Sequence, residues 1–112
     1  MLDIYIDADA CPVKREIYRV ASRYSLRVFV ISNSWMRIPQ SSRVELIVVE
    51  EGEDVADDWI AEHVQKDDIV ISGDIPLASR CLKEGAHVIG NTGRPFDEYN
   101  ICDALSIRNL LH

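Results

Sequence analysis

The stretch that decides the fold is Leu2-Asp3-Ile4-Tyr5-Ile6-Asp7-Ala8-Asp9-Ala10-Cys11-Pro12. Residues 2–7 read as a buried strand with Ile4 and Ile6 at its centre. Pro12 suits the first turn of a helix, where its missing N–H costs nothing. The helix is predicted over 13–24. Val13, Ile17, Val20, Ala21 and Tyr24 recur at helical spacing, with Lys14, Arg15, Arg19 and Arg23 on the other sides. A strand that runs through two acids into an amphipathic helix is the opening unit of an α/β domain.

The rest of the chain repeats that alternation. Strands are predicted at 27–32 (Val28-Phe29-Val30-Ile31), 44–49, 69–72 and 87–89. A helix is predicted over 55–64, capped by Asp54, with Val55, Ala56, Trp59, Ile60 and His63 on one stripe. Another runs over 75–84 and is stopped by Gly85, and Asn100 starts a last one through residue 111. Residues 90–98 read as loop. Short apolar strands alternating with helices predict a three-layer α/β domain with a mainly parallel sheet of about five strands, forming one domain over residues 1–112. The connection at 33–43 has no clear helix, although a parallel crossover normally needs a dozen or more residues. The third strand is therefore expected at an edge, with its direction open.

Composition narrows the function classes. The 112 residues are 47% hydrophobic and carry 12 basic and 19 acidic side chains, a formal charge of −7. That fits a globular domain able to bury a core without staples. The longest apolar runs are too short to span a membrane. No basic segment or small-residue cleavage site precedes the first strand, so no signal peptide is expected. Three widely spaced cysteines, Cys11, Cys81 and Cys102, form neither a disulfide framework nor a zinc set. The expected compartment is the cytoplasm. Cys81, among Leu77, Ala78 and Leu82, reads as a core thiol. The acidic balance argues against a broad basic nucleic-acid face.

The acids are not evenly spread. Asp7 ends the first strand, Asp9 follows it and Asp74 lies just past the fourth. In a parallel sheet all three project to the edge where open α/β sheets bind ligands. At about 100° per residue, Asp57 sits nearer the apolar stripe of its helix than Asp54 or Asp58, which are assigned to the cap and the helix dipole. Two carboxylates about 4 Å apart repel by roughly 4 kcal/mol at an effective dielectric of 20. Such a cluster must hold a proton or a cation, and oxygen-only ligands favour Mg²⁺ or Mn²⁺. The plainer alternative is that each Asp caps its own helix.

Asp7-Ala8-Asp9-Ala10-Cys11-Pro12, then Ala56-Asp57, then Ser72-Gly73-Asp74-Ile75-Pro76-Leu77-Ala78, with Asn100-Ile101 near the end, resemble the YaiI/YqxD family of uncharacterised bacterial proteins. The resemblance covers nearly the whole chain. It implies a PIN-like nuclease-type fold with an acidic Mg²⁺/Mn²⁺ site, in which Asp7, Asp57 and Asp74 are catalytic and Asp9 joins them as a metal or supporting ligand. Members of that family extend past the point where this chain stops, with a more basic tail, so the resemblance also implies a C-terminally shortened domain. The family carries no established activity, so it speaks to fold more than to chemistry.

Three functions fit these residues. The first is a metal-dependent phosphodiesterase acting on RNA or single-stranded nucleic acid. Asn33, Arg37, Arg43, Ser72 and Arg94 are its candidate substrate contacts, with Lys14 and Arg15 as further ones, and Trp35 a base-stacking candidate. For the arginines the plainer reading is a solvated face, for Trp35 a loop aromatic folded onto the core. The second is a haloacid-dehalogenase-like phosphatase with Asp7 as nucleophile. Against it, Cys11 stands where a Thr or Val is expected, and no downstream Lys is well placed. The third is a non-catalytic metal-binding module. His63 and His87 read as satisfied, semi-buried side chains. The loop around Trp35 and Met36 is a candidate dimer contact.

Overall fold

The structure is a computed structural model that describes residues 2–8, 14–52, 54–90 and 95–96. The chain runs β1 (Asp3–Asp7), α1 (Lys14–Tyr24), β2 (Arg27–Ser32), β3 (Val44–Val48), α2 (Val55–His63), β4 (Ile69–Ile71), α3 (Ile75–Lys83), β5 (His87–Ile89) and β6 (Pro95–Phe96). The sheet order is β3-β2-β1-β4-β5-β6. The first five of these strands pair in parallel, and β6 lies antiparallel to β5. The three-layer α/β expectation holds. The loop expected over 90–98 is corrected at β6, a two-residue strand at the sheet edge, where a proline costs no interior ladder bond. Asp9, Cys11, Arg94, Cys102 and the helix expected from Asn100 lie outside the described residues.

The period-2 alternation of the strands sorts the core into two faces. Tyr5, Ile31, Val70 and Val88 point to one face and pack with Ile60 of α2 and Leu77, Ala78 and Cys81 of α3. Ile4, Ile6, Val28, Val30 and Ile71 point to the other, against Ala21 of α1. Only part of the stripe predicted for α1 is used. Val20 and Tyr24 are exposed. Val20 borders a cleft of about 360 Å³ between α1 and the sheet, walled by Ile17, Ile69, Ile71 and Ile89.

The third strand is an edge strand among the described residues, and it is parallel to β2. The crossover manages without a helix: between the bend at 33–34 and the turn at 42–43, exposure alternates residue by residue from Trp35 to Pro39, the pattern of an extended stretch, which covers about twice the distance per residue that a helix would. Met36 and Ile38 of this loop pack on the α1 face of the sheet. A right-handed crossover continuing in the β1-to-β2 direction belongs on that same face. After β3 the order reverses, and α2 and α3 cover the opposite face.

The edge remote from the strand C-termini is tied by charge. Asp3 receives both Nε and Nη2 of Arg27 at 3.0 Å. The buried Asp68 carboxylate accepts the backbone N–H of Asp3 at 3.0 Å and of Gln65 at 2.9 Å.

Candidate active site

Sheet order reverses between β1 and β4, so the crevice at their C-terminal ends is the natural ligand position in an open α/β sheet. Asp7 ends β1 there and is 8% exposed. Ser72 follows β4 and is fully buried. Its hydroxyl donates to Asp7 Oδ2 at 3.2 Å and accepts the backbone N–H of Asp74 at 3.0 Å. One serine therefore fixes both the carboxylate of β1 and the turn that carries Asp74. Asp74 is the N-cap of α3, with Oδ1 accepting the Leu77 N–H at 2.9 Å. For this residue the helix-capping alternative holds, and the same side chain also lines the crevice.

The crevice is a pocket of about 200 Å³ whose walls include Asp7, Asn33, Glu50, Asp54, Asp57 and Asp74. The structure thus brings together Asp7, Asp57 and Asp74 with Asn33, and buries Ser72 beneath them. Glu50 and Asp54 were not predicted as site residues. Glu50 follows β3, whose parallel direction delivers it to this edge. Asp54 is a correction: it stands before α2, but with φ 67° and no side-chain capping bond. In that left-handed conformation, tolerated by Asp, its carboxylate does not cap. Gly52 makes room for this turn, since a Cβ there would lie 3.0 Å from Val55 Cγ2. Asp58 turns away and pairs with Arg80 at 2.6 Å.

Among the described residues five carboxylates line the pocket and no cationic side chain does. The cost falls on Asp57. Burial raises its pKa, the Asp74 and Asp7 charges raise it further, and hydrogen bonding to Asp74 adds to the effect, so that it titrates at about 7 instead of 3.8. The donor set is all oxygen, the chemistry that Mg²⁺ or Mn²⁺ takes. Among the described residues, no three acidic, histidine or cysteine side chains are already gathered closely enough to hold a metal ion.

Other sequence candidates lie elsewhere. Arg43 sits just before β3, where its carbonyl accepts the Val28 N–H at 2.8 Å, at the opposite edge of the sheet from Asp7. Arg37 lines a separate groove with Trp35. Trp35 is 77% exposed, so it is not folded onto the core. His63 is exposed as well, stacked on Trp59 with ring centroids 3.8 Å apart, and the exposed His87 lies 3.7 Å from Asp67. Cys81 is fully buried as expected.

The model of the uncharacterised YaiI/YqxD family matches residues 5–112. The chain belongs to this family. It is 56% identical to a UPF0178 protein of Rhodospirillum centenum over 111 residues, covering 99% of this chain and 72% of that protein. A UPF0178 protein of Gluconacetobacter diazotrophicus is 58% identical over 111 residues, with the same shares of 99% and 72%. One from Caulobacter sp. strain K31 is 56% identical over 108 residues, covering 96% of this chain and 72% of its own. No solved structure matches the chain. Among the described residues of this family member, no helix is long and apolar enough to cross a membrane.

Proposed function

We propose that the acidic pocket is the site of a metal-dependent phosphodiesterase of PIN-like type, acting on RNA or another single-stranded nucleic acid. The observation that carries this is the pocket wall itself: Asp7, Glu50, Asp54, Asp57 and Asp74 surround it with no cation among the described residues. An anionic phosphate cannot enter such a wall unless a cation enters too, and an oxygen-donor wall selects a hard divalent ion. Asp7, Asp57 and Asp74 would hold the ion, and the family resemblance adds Asp9 as a further ligand. When bound, Mg²⁺ or Mn²⁺ supplies the charge that offsets the phosphate and acidifies water.

The chain's own groups do the positioning. Ser72 holds Asp7 through its hydroxyl, and the Leu77 N–H holds Asp74, so both carboxylates are fixed before any ligand arrives. Asp57, titrating at about 7, can take up or release a proton at its carboxylate oxygen near neutral pH. Asn33, on the same wall, offers an amide N–H to a phosphate oxygen.

The test offers purified protein with Mn²⁺ either labelled single-stranded RNA or p-nitrophenyl phosphate. Cleavage of the RNA that disappears in Asp7→Asn and Asp74→Asn is the expected result. Hydrolysis of the monoester alone overturns the reading in favour of a phosphatase with Asp7 as nucleophile. Hydrolysis of neither, with Mn²⁺ still bound, overturns it in favour of a non-catalytic module.

A further inference from the structure

The β2–β3 connection leaves the acidic pocket at Asn33 and returns along the α1 face of the sheet to Val44. Its extended segment alternates. Met36 and Ile38 pack on the core, while Trp35, Arg37 and Pro39 are exposed. Two outward residues on an extended chain stand about 6.6 Å apart. Trp35, at 77%, is the most exposed large apolar side chain among the described residues, so the fold itself makes little use of its indole. Between this segment and the edge strand lies a groove of about 1000 Å³, walled by Trp35, Met36, Arg37, Ile38, Val44 and Leu46. Among the described residues Arg37 is its one charged lining residue and has no acidic partner. In a chain of net charge −7, no acidic side chain among the described residues lines this groove. It begins two residues from the wall of the most acidic pocket described.

We propose that this groove binds the nucleic-acid strand leading into the acidic pocket, with Trp35 stacking a base and Arg37 holding a neighbouring phosphate. The proposal rests on the phosphodiesterase reading for the identity of its ligand. An exposed aromatic face next to a guanidinium is the pairing that sequence-tolerant single-strand binders use, the ring taking any base and the cation the backbone. Two features favour a nucleic-acid strand over a peptide or a second copy. The groove's lone charge is positive, and it sits on the connection that also supplies Asn33 to the pocket.

The test separates binding from cleavage. Fluorescence anisotropy of a labelled phosphorothioate oligouridylate, which resists cleavage, is measured at several salt concentrations in the presence of Mn²⁺ on the otherwise unsubstituted protein. Trp35→Ala is expected to weaken binding about tenfold, and Trp35→Phe, which keeps an aromatic face, to restore most of it. Arg37→Gln is expected to weaken binding and to flatten the slope of log K against log salt by about 0.7, the signature of one lost phosphate contact on a single strand. Unchanged affinity in both Trp35→Ala and Arg37→Gln overturns the groove, even if the wild type cleaves RNA. Loss of affinity in both, with a wild type that cleaves nothing, keeps the groove and removes the phosphodiesterase. A failure of the unsubstituted groove to bind the oligonucleotide overturns it. So does a dimer, seen by sedimentation, that Trp35→Ala turns into a monomer.

Discussion

Replacing Asp57 by Asn should stabilise the metal-free protein at alkaline pH and leave it nearly unchanged in acid. In the folded chain this carboxyl holds its proton up to about 7, whereas its ordinary value is 3.8. Between those values the folded state binds more protons than the unfolded one, so stability falls as pH rises through the window, and above it the whole penalty stands. At 1.36 kcal/mol per pH unit the full displacement corresponds to about 4 kcal/mol. The pocket is open to water on one side, and screening cuts this to about 2 kcal/mol. Asn keeps the shape and removes the charge. Thermal melts of wild type and Asp57→Asn in chelator should therefore diverge from pH 4 to pH 8. At about 4 °C per kcal/mol for a domain of this size, the variant should melt roughly 8 °C higher at pH 8. A variant no more stable than wild type at pH 8, or a gain of equal size at pH 4, would refute the charge-crowding account of the pocket.

Two other outcomes follow from buried groups. Asp68→Ala leaves the Asp3 and Gln65 N–H groups without their acceptor. It should cost about 2–3 kcal/mol in urea unfolding, far more than Asp58→Ala, whose exposed pair with Arg80 is worth about 0.5 kcal/mol. Burial pushes the Cys81 thiol up to about 12, so in a Cys11→Ser/Cys102→Ser background it should resist a thiol reagent at pH 8 until denaturant opens the core.

The strands and helices were legible because each is a short apolar run with its own stop signal. Gly85, at φ +83°, ends the helix of Cys81 as its position suggests. Asp57 was legible from helical phase alone. The direction of β3 was not, because its crossover carries no helical signal, and Glu50 could not be assigned without that direction. Asp54 misled for a different reason. A capping residue type before an apolar run predicts a cap only if the backbone enters the helix from the extended region, and here it enters from the left-handed one. Trp35 misled because apolar residues in loops usually fold inward, and in this loop Met36 and Ile38 already occupy the inward positions.

The central claim is that the crowded carboxylates of the crevice exist to hold a divalent cation. Calorimetric titration of the metal-free protein with Mn²⁺ at pH 6.5, in two buffers of different ionisation enthalpy, tests it directly. Saturable binding is predicted, with proton release from Asp57 visible as a buffer-dependent heat and an affinity lowered about tenfold or more in Asp57→Asn and in Asp74→Asn. No Mn²⁺ binding, or binding that neither substitution changes, would contradict it.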